Sequence, residues 1–342
     1  MRKSSSFGIY PLARHNLAKI RIVLSVNIFN AKEDMEMIRS ERKLLPEGFN
    51  REGAYHTRFQ LEKAASAGDI IEGRAIACDK NGDLTVMLGE VIGRIPRDLT
   101  AIGVKEGAVS DIAIISRVNK TVACRIIASS GREGEYLLDR ATVQREALEY
   151  MLSEFLPGDV VDGRVTHIEP FGVFVDIGFG IVGLLPVENI SVSRIGHPKE
   201  RFYTGQNIKV VIKTVDKISK RFGLSHKELL GTWEENASLF EIGQTVCGRV
   251  RSVEEYGVFI ELTPNLAGLA EYNPDAVNGQ EATVFIKNII PEKMKVKLSI
   301  VDTFWREESE KASPFKYFFK GEHIDSFTYS PQRAPKLIET VF

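Results

Sequence analysis

Four aromatic residues and a set of lysines and arginines are the side chains here best placed to do chemistry, and that chemistry is non-covalent. Phe171 and Phe174 stand three positions apart in Phe171-Gly172-Val173-Phe174-Val175-Asp176-Ile177-Gly178, and Tyr256 and Phe259 repeat the spacing. The first stretch reads as a short strand from its Val, Phe and Ile content and its closing glycine. Side chains alternate along a strand, so Val173, Val175 and Ile177 point to a core, while Phe174 and Asp176 point to solvent. By that count Phe171 falls on the core side. Gly172 changes this, because a strand glycine often marks a bulge that re-aims its neighbour. Both rings are then expected on the open face, where unpaired bases stack at about 1–3 kcal/mol each. Two core phenylalanines on a twisted strand are the alternative that this stretch alone leaves open.

Charge points the same way. Between Arg194 and Lys227 the basic residues are Arg194, Lys199, Arg201, Lys209, Lys213, Lys217, Lys220, Arg221 and Lys227, opposed only by Glu200 and Asp216. Lys287, Lys293, Lys295 and Lys297 form a smaller patch. A basic lobe beside exposed rings is the combination expected for single-stranded nucleic acid, whereas a charge run by itself is a solvated face. The net charge of −1 predicts no polyanion partner, but an average conceals a local lobe.

Other chemistries find no support. Gly178-Phe179-Gly180-Ile181-Val182-Gly183 spells GxGxxG, but a dinucleotide fingerprint needs a helix next, and Leu184-Leu185-Pro186 continues as strand and turn. There is no GxxxxGK[ST], no HExxH and no nucleophile motif. His167, His197 and His226 lack metal-ligand spacing and read as surface or strand histidines. Cys78, Cys124 and Cys247 are scattered, with no CxxC, which argues against zinc and a disulfide framework and for a reducing cytoplasm. No apolar run is long enough to span a bilayer. The chain reads as non-enzymatic, with no cofactor, no metal and no small-molecule substrate.

The elements that must position these residues come as an internal repeat. Gly158-Asp159-Val160-Val161-Asp162-Gly163-Arg164-Val165 returns as Gly243-Gln244-Thr245-Val246-Cys247-Gly248-Arg249-Val250. The same offset places Phe171-Gly172-Val173-Phe174 on Tyr256-Gly257-Val258-Phe259 and Gly183-Leu184 on Gly268-Leu269. A third copy lies upstream, from Gly68-Asp69-Ile70-Ile71-Glu72-Gly73-Arg74 to Gly93-Arg94-Ile95-Pro96, with Asn81-Gly82-Asp83-Leu84 where the rings should be. Each copy holds about five strand-like runs, in the second at roughly 158–169, 171–178, 181–185, 207–216 and 220–226. Five short strands in one unit suggest the partly open Greek-key barrel called the OB-fold, which binds oligonucleotides on one strand face. Between copies the period becomes helical, through Val143, Ala147, Leu148, Met151, Leu152 and Phe155, then Leu229, Leu230, Trp233, Ala237 and Phe240. Trp233 is expected as a packing anchor.

On these blocks the chain resembles the S-one RNA-binding domain family, named after the largest protein of the bacterial small ribosomal subunit. The family pattern is a glycine-framed first strand, Phe-Gly-x-Phe-Val, Gly-Leu-Leu with a short turn, and a late strand ending in Leu-Ser, here Leu224-Ser225 and Leu298-Ser299. The likeness covers about residues 66–302, and the three-copy layout is similar to short Gram-positive members of the S-one ribosomal proteins. The resemblance implies that Phe171, Phe174, Tyr256 and Phe259 stack on bases. The family's histidine after the third strand is Pro186 in one copy and Glu271 in the other, so one partner is expected to be missing and Glu271 to repel phosphate. Asp216 and Arg221 match the family's acid before the last strand and arginine at its start, with one extra residue between them; Lys295 fits the basic position in the third copy, where no acid matches. Lys209, Lys213, Lys217, Lys220 and Lys297 are expected as weaker phosphate contacts. RNA over DNA rests on this resemblance.

The expected architecture is mostly β: three tandem five-stranded OB barrels joined by short linker helices. Residues 1–34 form an extension, with translation expected to begin at Met35 or Met37. Residues 35–65 lead in, 66–135 form a degenerate first barrel, 136–157 a linker helix, 158–227 the second barrel, 228–241 a linker helix and 242–302 the third barrel. Residues 303–342 are an aromatic-rich tail, of which 303–332 is expected to pack partly on the third barrel. The first copy, ringless and acidic between 69 and 100, is expected to bind RNA poorly and to dock on a protein such as the ribosome through residues 66–135. The implied function is to hold unstructured messenger RNA at the small ribosomal subunit, with no membrane partner. An RNA-decay or transcription accessory and a protein-interaction scaffold are the alternatives.

Overall fold

The structure is a computed structural model that describes residues 44–49, 56–129, 135–305 and 315–342. The expectations for residues 1–34 and for a start at Met35 or Met37 lie outside them.

Each expected copy closes into a five-stranded barrel. The first is built from β1 (Ile70–Cys78), β2 (Leu84–Met87), β3 (Ile92–Ile95), β4 (Thr121–Ser129) and β5 (Glu135–Asp139). The second takes β6 (Val160–Glu169), β7 (Gly172–Gly178), β8 (Ile181–Pro186), β9 (Asn207–Asp216) and β10 (Arg221–Ser225). The third takes β11 (Thr245–Glu254), β12 (Gly257–Thr263), β13 (Leu266–Ala270), β14 (Glu281–Ile290) and β15 (Lys295–Phe304). In all three the first strand pairs with the second and fourth, and the fifth closes the ring between third and fourth. The third and fifth strands run parallel and every other pair antiparallel, as an OB-fold requires. The first strand is bulged at one equivalent place in each barrel, between Ala75 and Ala77, Val165 and His167, and Val250 and Ser252. An extra residue there coils the strand enough for the sheet to close.

Alternate residues fill the barrels. Val173, Val175, Ile177, Leu185 and Leu224 are fully buried in the second, and Val258, Ile260, Leu266 and Val284 in the third. Each such side chain contributes about 1.5–3 kcal/mol by leaving water.

Helix α1 (Arg58–Ala67) crosses the expected 65/66 boundary and seals the first barrel with Leu61. A capping box between Thr57 and Gln60 starts it and Gly68, at φ 69°, stops it. A short helix α2 (Asp111–Ile115) sits between β3 and β4. Helix α3 (Ala141–Glu154) is the first linker and buries Val143, Ala147 and Met151 at helical spacing. The second linker is not one helix over 228–241. It is a 3-10 turn, Lys227–Leu230, and a short helix α4 (Trp233–Ala237), separated at Gly231, whose φ of 84° no helix accepts. Trp233 is buried in the third core, as an anchor should be.

The tail differs from expectation in where it lies first. Tyr317, Phe319 and Ile324 cover Val160 and Val211 of the second barrel and Leu229 of the linker turn, and the Val160 amide donates to the Glu322 carbonyl at 2.8 Å. Adjacent residues Val210 and Val211 cannot both face inward, so the outward one needs a cover. Further on, Phe327, Tyr329 and Ile338 reach the third core, where the hairpin of β16 (Ser326–Thr328) and β17 (Glu339–Val341) lies. His226 is no surface histidine. It is fully buried, its ring 5.4 Å from Phe202, 4.6 Å from Phe315 and 5.6 Å from Tyr317.

Candidate nucleic-acid interface

The β6–β7 hairpin sets the first ring pair. Glu169 pairs with Gly172, which leaves Pro170 and Phe171 as a two-residue turn. Phe171 is therefore 56% exposed because it occupies the turn, not because a bulge at Gly172 re-aims it. Gly172 instead lets β8 approach, since a Cβ there would meet the Leu185 carbonyl oxygen at 2.5 Å. The Phe171 and Phe174 rings lie 6.1 Å apart at 89°. In the third barrel Glu255 and Tyr256 make the same turn, Tyr256 is 70% exposed, and its ring stands 6.1 Å from Phe259 at 86°.

A histidine that spacing along the chain does not single out stands beside this ring pair, on β6 rather than at the family's position after β8. His167 lies directly across from Phe174, 6.3 Å away with ring planes at 32°, and its Nε2 is 2.6 Å from Glu169 Oε1. A two-residue turn at 170–171 pairs 169 with 172 and 167 with 174, so hairpin counting contains this signal. Ser252 takes the place of His167 in the third barrel. The same cross-strand row there runs from Phe259 through Leu269 to Lys297, which puts that lysine beside the ring face. Lys295 is exposed two residues earlier on β15.

Glu271 is exposed but ion-paired with Lys287 at 2.9 Å, and that hydrogen bond and charge hold its carboxyl below the usual range. Its expected repulsion of phosphate is thereby offset. Asp216 closes the β9–β10 turn: Oδ1 accepts from the Ile218 and Ser219 amides at 3.0 Å, and Oδ2 from the Ser219 hydroxyl at 2.5 Å. Those bonds lower its pKa, the Ser219 hydroxyl most. Arg221 pairs across from it, and Lys217 and Lys220 are exposed on the same turn.

Three members of the basic run have protein partners. Lys209 sits 3.3 Å from Asp162, two strands round from Phe174, and Lys213 donates to Asn189 Oδ1 at 3.0 Å. Arg201 is buried against Glu261 at 2.5 Å, in a cluster with Arg251 and Glu200 that joins the second and third barrels.

Asp176 departs outright from the alternation argument. Its place in the strand period puts it on the open side of β7, yet it is buried, because residues 45–48 and Arg140 cover it. Its carboxylate accepts from the amides of Glu47 at 2.8 Å, Gly178 at 2.8 Å and Gly180 at 3.0 Å. Burial first, and then the Glu47 charge, push its pKa up to about 7 against those amides. Arg140 holds Glu47 with two bonds of 2.6 and 2.8 Å and donates to the Thr100 carbonyl at 2.9 Å. The GxGxxG glycines belong here: a Cβ on Gly180 would strike Arg140, and β8 rather than a helix follows. Among the described residues no group of His, Cys, Asp or Glu is placed to hold a metal, and no helix is long and apolar enough to cross a membrane.

Residues 154–227, which carry the first ring pair, match the S1 RNA binding domain. The chain is similar to the small ribosomal subunit protein bS1 of Rickettsia conorii, 30% identical over 70% of this chain and 44% of the relative. It is likewise similar to bS1 of Staphylococcus aureus, 28% identical over 84% of this chain and 78% of the relative. The chain thus spans less than half of the first relative. Among solved structures, GSP13 from Bacillus subtilis is 25% identical over 21% of this chain and 55% of its own, with a TM-score of 0.20, too low to carry an argument. The S-one resemblance read from the residues is borne out.

Proposed function

We propose that this chain, a relative of the bS1 small-subunit proteins with an S1 RNA binding domain at its centre, binds single-stranded RNA and holds unstructured messenger RNA at the small ribosomal subunit. The observation that carries the reading is the recurrence of one ring geometry, with centres 6.1 Å apart and planes nearly perpendicular, on the open face of two barrels. Bases stack on Phe171 and Phe174, with His167 in the role of the absent family histidine, and on Tyr256 and Phe259. Lys217, Lys220, Arg221, Lys295 and Lys297 meet phosphates, with Lys209 and Lys213 lesser contributors because protein groups already hold them. Asp216 shapes the turn that presents the cations. The ion cluster between the second and third barrels keeps two weak sites at a set distance, which raises overall affinity through effective concentration.

The ringless first barrel supplies the contact to the subunit in this reading. The chain acts by binding rather than catalysis, in the cytoplasm. Titration of fluorescent poly-U at several salt concentrations tests the proposal. It predicts micromolar or tighter binding that weakens steeply with salt, and no binding at low salt overturns it. Co-sedimentation with ribosomal subunits supports translation, whereas co-purification with a nuclease or polymerase favours presentation of RNA to an enzyme.

A further inference from the structure

The ring face does not end at the edge of the second barrel. His167 and Phe174 form one outward pair on β6 and β7, and Arg164 and Asp176 form the next outward pair along the same strands. The step between the two pairs is about 7 Å. Beyond it opens a cleft of about 200 Å³ between the first and second barrels. Arg164, Thr166 and Thr204 line it from the second barrel, and Arg117, Asn119 and Lys120 from the first. These first-barrel cations lie just before β4, outside the acidic stretch that makes this barrel look hostile to RNA.

Two carboxylates, Glu47 and Asp176, also line the cleft, and each is held by other groups of the protein. Glu47 is taken up by Arg140, and Arg117 stands 3.9 Å away. Asp176 is buried and capped by the backbone amides of Glu47, Gly178 and Gly180. Arg164 donates to Asn207 Oδ1 at 2.6 Å, which fixes where its guanidinium points. Lys120 is exposed and makes no side-chain hydrogen bond or ion pair among the described residues. Burial, and then the neighbouring cation, push the pKa of both Arg117 and Lys120 down: Arg140 acts on the first and Arg117 on the second. Cations held against one another in a recess, with hydroxyls beside them, form a site that an incoming phosphate stabilises.

We propose that this cleft receives backbone phosphate of the RNA strand whose bases lie on Phe171, Phe174 and His167, so that the first barrel completes the RNA site of the second. The proposal rests on the RNA-binding reading above. It gives a ringless barrel a direct part in binding, through Arg117 and Lys120, in addition to any docking it performs.

The test uses the full chain and a labelled uridine decamer titrated at several salt concentrations. Lys120→Gln removes one phosphate contact at an exposed position that the fold does not need. It is expected to lower the slope of log affinity against log salt by about 0.7, which is about fivefold in affinity at 0.1 M salt. Lys105→Gln, on the same barrel outside the cleft, is expected to change neither. Native affinity and slope in Lys120→Gln overturn the inference, and so does an equal loss in Lys105→Gln, which would show that only net charge matters. Phe174→Ala separates the two readings. If it weakens binding while Lys120→Gln does not, the cleft alone fails; if it has no effect, the ring site itself fails.

Discussion

His167 and Phe174 face one another across the β6–β7 hairpin, ring centres 6.3 Å apart and planes inclined by 32°. With Phe171 they make three flat groups on one face. His167→Ala is expected to weaken oligouridine binding by about 1–3 kcal/mol, and His167→Phe to keep it, because stacking needs a flat face rather than a particular heteroatom. Fluorescence anisotropy measures both, and an unchanged alanine variant removes His167 from the site.

The repeated ring pairs predict parallel losses. Phe174→Ala and Phe259→Ala should each weaken binding of a short oligomer by about 1–3 kcal/mol at the affected barrel. On an oligomer long enough to span both barrels, the double variant should also lose the gain from tethering. Equal affinities of short and long oligomers for the native chain would contradict the tether.

Asp216 accepts its hydrogen bonds from its own turn. Asp216→Ala should therefore lower affinity while leaving the salt slope near native, whereas Lys217→Gln and Lys220→Gln should each lower the slope by about 0.7. A steeper slope in Asp216→Ala would instead mean that its negative charge opposes RNA.

Arg140 and Glu47 are both buried, so removing one partner leaves an uncompensated charge. Arg140→Met should destabilise the chain by about 3–5 kcal/mol in urea unfolding, with Glu47→Gln in the same chain restoring much of it. A single variant that unfolds at the native midpoint would show that the pair contributes nothing.

His226 predicts acid sensitivity of the tail. Its Nδ1 donates to the Ile190 carbonyl at 3.1 Å, and its Nε2 faces the Tyr317 hydroxyl at 3.3 Å, whose oxygen accepts from the Lys209 amide. Burial depresses its pKa to about 4, below the ordinary 6.5. A depressed value means the unfolded state binds the proton first. The associated stability is complete above about pH 6.5 and is lost as pH falls towards 4, a difference of about 3 kcal/mol. Limited proteolysis of the tail should accelerate over that window in the native chain and less in His226→Gln. Identical profiles would contradict the assignment.

The barrels are legible in the sequence because their signals are local. The glycine-framed first strand, the aromatic turn and the Gly-Leu pair of the third strand recur at one offset, and alternation then separates Val173, Val175 and Ile177 from Phe174. The exposure of Phe171 agrees with expectation for a different reason, since a two-residue turn and not a bulge turns it outward. Its neighbour His167 emerges only when residues are paired across the hairpin rather than spaced along the chain.

By itself, the order of residues determined three repeated barrels, the outward direction of Phe174 on its strand, and the stretch where cations gather. Tertiary structure alone decided what covers those sides. Asp176 is sealed by Glu47, 129 residues away, Val211 and His226 by the tail, and the ring face runs on into cations of another barrel. A strand's period dictates direction, but burial, and with it charge state and reach, depends on segments that arrive from elsewhere in the chain.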